Sequence, residues 1–181
     1  MSLAQKYHDA CRTPSDINEH LTTFVKMCRE LDATKVIELG TRGGVSTIAW
    51  LYAMEETDGH VWSVDIDPAP DLEHKRWTFI QGDDLDPAVT KQVPESADVV
   101  FIDTEHSYEQ TLAELNVYSW YVRPGGKIVL HDTELLKPFG LRHQPPYPVK
   151  KAVEDFCREE VLPWKNYPNN NGLAIIDMPE G

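Results

Sequence analysis

Cysteine is scarce in this chain of 181 residues: Cys11, Cys28 and Cys157 stand far apart and are odd in number. That pattern excludes a disulfide framework or a cysteine-built zinc site, and it points to a reducing, cytoplasmic compartment. Long apolar runs are missing as well. None approaches the roughly 18 residues that a membrane helix needs, so no membrane partner is expected. The first residues hold no apolar core of the signal-peptide kind. Positive charge is the third shortage, with 17 Lys and Arg against 30 Asp and Glu and a net charge of −13. Lys150-Lys151 and Arg142-His143 are short and isolated, and no basic stripe forms. A polyanionic nucleic acid would be repelled, which leaves a small molecule as the expected substrate.

Repeats and low-complexity linkers are also absent, and the length suits a single domain over 1–181. Within it we expect an N-terminal arm over 1–13 and a lid loop over 134–148. No structural role is expected of Met1–Leu3 or of Glu180-Gly181. Five β-rich runs alternate with helical patterns: Lys35–Leu39, His60–Val64, Trp77–Gln81, Asp98–Ile102 and Lys127–Leu130. Several are nearly continuous apolar runs, as in parallel strands covered on both faces. A first helix is predicted from Pro14, with Thr13 and Asp16 at capping-box spacing and Ile17, Leu21, Phe24, Cys28 and Leu31 on one face. Others follow Gly44, run from Tyr108 to about Tyr121, and run over Val149–Glu160. The Tyr108 helix should stop before Pro124-Gly125-Gly126. Trp164–Tyr167 and Leu173–Asp177, joined by the turn-rich Pro168–Gly172, read as an antiparallel hairpin. The fold class is therefore α/β: a Rossmann-like three-layer sandwich with a mostly parallel seven-stranded sheet and a terminal antiparallel hairpin.

The first run passes straight into Gly40-Thr41-Arg42-Gly43-Gly44 and then a helix. Ligands of such sheets sit at the carboxyl ends of the strands. Glycine there allows close backbone approach, and the free N–H groups at the helix start favour a negative ligand group. Arg42 stands where the dinucleotide pattern G-x-G-x-x-G needs glycine, which argues against a nicotinamide oxidoreductase. The second run ends in Asp65, whose carboxylate can accept both hydroxyl protons of a ribose. The third ends in Gln81-Gly82-Asp83. Asp103 and Asp132 end the fourth and fifth and converge if those strands are neighbours. Two carboxylates with room for water suit Mg²⁺. His106 lies three residues after Asp103, and a histidine titrates near neutral pH.

Glu38 with the glycine loop reads E-x-G-x-x-x-G, which resembles the first motif of class I S-adenosylmethionine-dependent methyltransferases. With the acid at 65 and the Gly-Asp at 82–83, the resemblance extends from about Ile17 to Asp177. It implies S-adenosylmethionine as cofactor, its methionine end wrapped by the loop and its adenine amino group near Asp83. Glu38 is implied to order the loop and the cofactor's amino group. Cofactor contacts are thereby assigned to Glu38, Gly40, Thr41, Gly43, Gly44, Asp65, Asp83 and Asp103. The strand-end pair resembles that of catechol-type O-methyltransferases, with Thr133 where that family has asparagine. Asp103, Asp132 and His131 become the metal ligands, with Mg²⁺ as the ion, His131 alternatively only supporting the strand end. In that family a lysine thought to remove the hydroxyl proton stands where His106 stands here, so His106 and Asp103 are the catalytic candidates. Phe101–Tyr108 is also similar to a subgroup that includes cephalosporin-hydroxylase-like proteins.

Each residue keeps a plainer reading beside this one. Asp103 and Asp132 are alternatively helix caps, and His106 a buried residue that holds its loop. Phe139, Arg142, His143 and Tyr147 line a lid or a bare surface loop, while Tyr108 and Trp120 belong to the core. The reaction expected is O-methylation of a small molecule with Mg²⁺. A metal-independent methyltransferase and a non-catalytic cofactor-binding protein are the alternatives. One assembly that the chain allows is a homodimer in which Ala4–Arg12 covers a neighbour's site.

Overall fold

A computed structural model describes residues 1–137 and 143–181. The elements run α1 (Leu3–Arg12), α2 (Leu21–Glu30), β1 (Lys35–Leu39), α3 (Val45–Thr57), β2 (His60–Asp65), β3 (Trp77–Gln81) and α4 (Pro87–Thr90). They continue with β4 (Ala97–Ile102), α5 (Tyr108–Tyr118), β5 (Val122–His131), α6 (Pro148–Glu160), β6 (Trp164–Tyr167) and β7 (Leu173–Asp177). The seven strands order as β3-β2-β1-β4-β5-β7-β6. The first five pair in parallel and the last two run antiparallel, as expected.

Alternation along the strands divides the core in two. Ile37, Leu39, Val100, Ile102, Ile128 and Leu130 face the layer of α5 and α6. Val36, Val61, Val99, Phe101 and Val129 face the layer of α1, α2 and α3. Phe24 stacks on Trp50 at 4.2 Å between ring centroids and leans on Phe101. At the amino-terminal ends of the strands, the Asp98 carboxylate accepts from the amides of Thr34 (2.7 Å) and Lys35 (2.9 Å) and from Arg123 Nε (2.5 Å).

Several sequence expectations change. The first helix does not start at Pro14. Thr13 ends α1, where its amide and hydroxyl both donate to the Asp9 carbonyl. The apolar face of Ile17, Leu21, Phe24 and Cys28 is buried as expected, but Asn18–His20 is a 3-10 turn and α2 starts only at Leu21. The supposed arm is a helix capped by Ser2. Tyr7 on that helix stacks on Tyr52 of α3 in the same chain, at 4.3 Å. Pro124-Gly125-Gly126 lies inside β5 rather than before it, at a register shift against β4. Trp120 is not core; it is 87% exposed. Phe139 and Arg142 of the expected lid lie outside the described residues, and the flanks are tied down. Gln144 accepts from the Tyr108 amide (2.9 Å), and the Lys137 amide donates to the Pro146 carbonyl (3.0 Å).

Candidate active site

A cavity of about 420 Å³ opens at the carboxyl ends of β1, β2, β3 and β4. Gly40, Arg42, Asp65, Asp83 and Asp103 line it, together with Asp84, Thr104, Glu105 and Gln110. A second cavity of about 240 Å³ adjoins it and shares Gly40, Arg42 and Asp103, adding Thr41, Gly43 and Ser46. The combined space is that of a small-ligand site at the switch point of an open sheet.

The loop after β1 is shaped by close packing. Gly40 has φ +86°, and a Cβ on it would lie 2.0 Å from the Asp103 carbonyl oxygen. Only glycine permits that approach. Gly44, at φ +78°, starts α3 and lines neither cavity. A Cβ on Gly43 would meet nothing within 4 Å, so the loop leaves open space there.

Glu38 lines neither cavity either. It is wholly buried and accepts from Ser46 Oγ (2.6 Å), Thr47 Oγ1 (2.7 Å) and Ser63 Oγ (2.5 Å). Burial raises its pKa to about 7, against the opposing pull of those hydroxyls. Its work in this structure is to fasten the start of α3 to β1 and β2. Asp65 does more than its position in sequence suggested. Its Oδ2 accepts from the amides of Thr41 (2.7 Å) and Arg42 (3.0 Å), and its Oδ1 from the Asp67 amide (2.9 Å). The strand-end acid thereby holds the glycine loop by its backbone, while staying on the cavity wall. Arg42, read in sequence only as a departure from the glycine pattern, has φ +44° and pairs with Asp16 at 2.9 Å. Gln110 was missed in sequence. It sits on α5 and donates to Asp84 (3.1 Å) and Glu114 (2.9 Å). An amide on a helix face carries no sequence signal for this.

Four groups meet beyond the loop. His106 Nε2 lies 3.0 Å from both Asp103 Oδ1 and Asp132 Oδ2. His131 Nδ1 lies 3.4 Å from Asp103 Oδ1 and 3.5 Å from Asp132 Oδ2. Neither carboxylate caps a helix, because α5 is capped by Ser107 and no helix follows Asp132 directly. Burial works to lower the pKa of both histidines, but the close carboxylates of Asp103 and Asp132 outweigh it. His106 rises to about 9 and His131 to about 10. The Asp132 carboxyl is held low: burial opposes this, and the two histidines prevail.

The donor set fits a divalent cation. Ligand atoms of Asp103, His131 and Asp132 all lie within 4.8 Å of one another. His131 Nδ1 and Asp132 Oδ1 are buried and have no hydrogen-bond partner. Such orphaned atoms are costly without a ligand between them.

A mostly parallel sheet with a reversed last strand and a cavity at its carboxyl edge defines a Rossmann-like class of fold. A family model described as a methyltransferase domain matches residues 37–133, more than half of the chain, and the chain belongs to that family. An uncharacterized protein, R132, of Acanthamoeba polyphaga mimivirus is 32% identical over 92 residues, covering 48% of this chain and 40% of that protein. A protein of Mycobacterium sp. (strain JLS) named "Putative O-methyltransferase" is 31% identical over 124 residues, covering 60% of this chain and 53% of its own length. The chain thus spans about half the length of the curated relatives it matches. Among solved structures, the MycE methyltransferase from the mycinamycin biosynthetic pathway, in complex with Mg, SAH and mycinamycin VI, aligns with TM-score 0.74. Identity there is 17%, with 99% of this chain and 55% of that chain covered, a likeness of fold. The resemblance to class I methyltransferases is borne out at the level of family and fold. Among the described residues, no helix is long and apolar enough to cross a membrane.

Proposed function

We propose that this chain is an S-adenosylmethionine-dependent methyltransferase that transfers a methyl group to an oxygen of a small molecule, assisted by a divalent cation, Mg²⁺ in the resemblance. The observation that carries the proposal is the joining of two features at one edge of the sheet: the cavity under the β1 glycine loop, and the cluster of Asp103, His131 and Asp132, of which Asp103 lines that cavity. When bound, S-adenosylmethionine supplies an electrophilic methyl group, and the cation supplies charge that makes a hydroxyl more acidic.

The chain's own residues bind, orient and hold protons. Asp65 orders the Thr41 and Arg42 amides and presents its carboxylate to a ribose. Asp83 lies at the β3 end of the cavity for the purine. Thr41, Gly43 and Ser46 line the smaller space, which suits the amino-acid end of the cofactor. Asp103, Asp132 and His131 would hold the cation, with Asp103 facing both cavities. His106 holds a proton at Nε2 beside both carboxylates. With a cation held there, the two carboxylates would grip that proton less, and His106, once it has released the proton to solvent, would be the base beside a hydroxyl. Positioning and exclusion of water then contribute most of the rate. The unpaired state of Cys11, Cys28 and Cys157 agrees with a cytoplasmic protein.

One observation favours a second reading, a cation-independent methyltransferase: His106 already sets a proton 3.0 Å from both carboxylates. Calorimetric titration of S-adenosylhomocysteine into the protein, with Mg²⁺ and with EDTA, tests both. Micromolar binding is expected in either buffer, and with S-adenosylmethionine supplied as the methyl donor, turnover of a catechol-like or polyol acceptor only with the cation. Turnover that survives EDTA selects the second reading. No binding by the folded protein removes the methyltransferase proposal.

A further inference from the structure

We infer that the cluster of Asp103, His131 and Asp132 selects a first-row transition-metal dication over Mg²⁺, because one of its three inward donors is an imidazole nitrogen. The inference rests on the reading that this cluster holds a cation.

His131 is 1% exposed. Its Nε2 lies 3.0 Å from the Asp16 carbonyl oxygen and 3.1 Å from the Asn170 carbonyl oxygen. Carbonyls only accept, so Nε2 carries a hydrogen and donates. Two segments far apart in sequence, the turn after α1 and the β6–β7 turn, thereby fix both the tautomer and the ring's orientation. That backbone anchoring is the outer-shell support that metal-bound histidines use. It leaves Nδ1 aimed at Asp103 and Asp132, without a hydrogen-bond partner, and Asp132 Oδ1 is orphaned beside it. Nδ1 is thereby the ring atom presented to both carboxylates, where a bound cation would take the place of its proton.

The chemistry of the donors then discriminates among cations. Mg²⁺ demands oxygen ligands at near-octahedral geometry and keeps several waters. Here one donor is nitrogen, and the Asp132 and Asp103 side chains are only 5% and 10% exposed, which restricts the space for such waters. Imidazole suits the later first-row ions, while carboxylate alone suits Mg²⁺ and Mn²⁺. A site with one buried nitrogen and two carboxylate oxygens therefore favours a first-row transition dication over Mg²⁺, with Mn²⁺ the weakest-bound of that series and so the most demanding probe.

The test uses the full chain, stripped with chelator and then titrated calorimetrically with Mg²⁺ and with Mn²⁺. The Mn²⁺-loaded protein is examined by pulsed electron paramagnetic resonance for nitrogen coupling to the ion. Mn²⁺ is expected to bind about tenfold tighter than Mg²⁺ or better, with nitrogen coupling present, and His131→Asp is expected to bring the two affinities close together. Equal affinities in the wild-type chain, or Mn²⁺ bound with no nitrogen coupling, overturn the inference. The coupling decides the matter even where His131→Asp does not fold. Failure of both ions to bind overturns the cation reading too. Binding of S-adenosylhomocysteine in the same sample would leave the methyltransferase proposal standing.

Discussion

Glu38 offers the sharpest test of how this site is held. Its carboxyl lies on the α3 face of β1, where the alternation would place an apolar side chain, and it has no exposed surface. Burial lifts its pKa from 4.5 to about 7, even with hydroxyls of Ser46, Ser63 and Thr47 bonded to it. The folded value lies above the unfolded one, so the folded chain binds this proton more tightly. The resulting stabilisation is complete below pH 4.5 and is lost as pH rises through about 7. At about 1.4 kcal/mol per unit, the loss between pH 5 and pH 8 comes to roughly 2–3 kcal/mol. Against the 5–15 kcal/mol typical of a domain, roughly, that is a large share. Glu38→Gln keeps the shape and stays neutral, so it has no such loss. Urea unfolding of both proteins at the two pH values isolates the effect, because every other titrating group is common to them. The variant should gain roughly 2–3 kcal/mol on the parent from pH 5 to pH 8. A difference independent of pH would refute the reasoning and show that Glu38 stays ionised in the folded chain.

Three other perturbations probe the same edge of the sheet. Asp65→Ala removes the acceptor of the Thr41 and Arg42 amides. It should weaken S-adenosylhomocysteine binding about ten- to a hundredfold, with faster hydrogen exchange at those two amides. Unchanged affinity by calorimetry would remove the ribose assignment, and unchanged exchange the loop role. Gly40→Ala forces a Cβ against the Asp103 carbonyl at positive φ and should lower stability by more than about 2 kcal/mol in scanning calorimetry. An unshifted melting temperature would contradict the close approach of the β1 loop to β4. Asp103→Asn combined with Asp132→Asn should abolish cation-dependent turnover, and normal turnover by that protein would sink the cation-assisted mechanism.

Local physics made much of this fold legible. Lys35–Leu39, Trp77–Gln81, Trp164–Tyr167 and Leu173–Asp177 are strands with the bounds that their apolar and β-branched runs and flanking turns implied. The loop after β1 announced itself because no other residue type tolerates what Gly40 must do. Asp65, Asp83, Asp103 and Asp132 stand out in sequence because acids recur at the ends of successive strand runs, in register with the glycine loop. Where an alternative local partner existed, sequence misled. Thr13 and Asp16 have the spacing of a cap, yet Thr13 closes the helix before it and Asp16 pairs with Arg42. Pro124-Gly125-Gly126 breaks helices, but a strand at a register shift absorbs it. Trp120 looks like core by composition and is exposed by its place on a short turn between α5 and β5.

The sequence by itself determined the order of strands and helices, the edge of the sheet at which the cavity opens, and acids that line it, because periodicity, glycine conformation and charge are properties of neighbours in the chain. Tertiary structure alone decided what those acids do. Glu38 faces hydroxyls of α3 and β2 rather than the cavity, and Asp65 grips the loop from the next strand. His131 turns its Nδ1 inward because carbonyls 115 and 39 residues away hold its other nitrogen. Such roles depend on which atoms meet across the sheet, and distance along the chain carries no record of that.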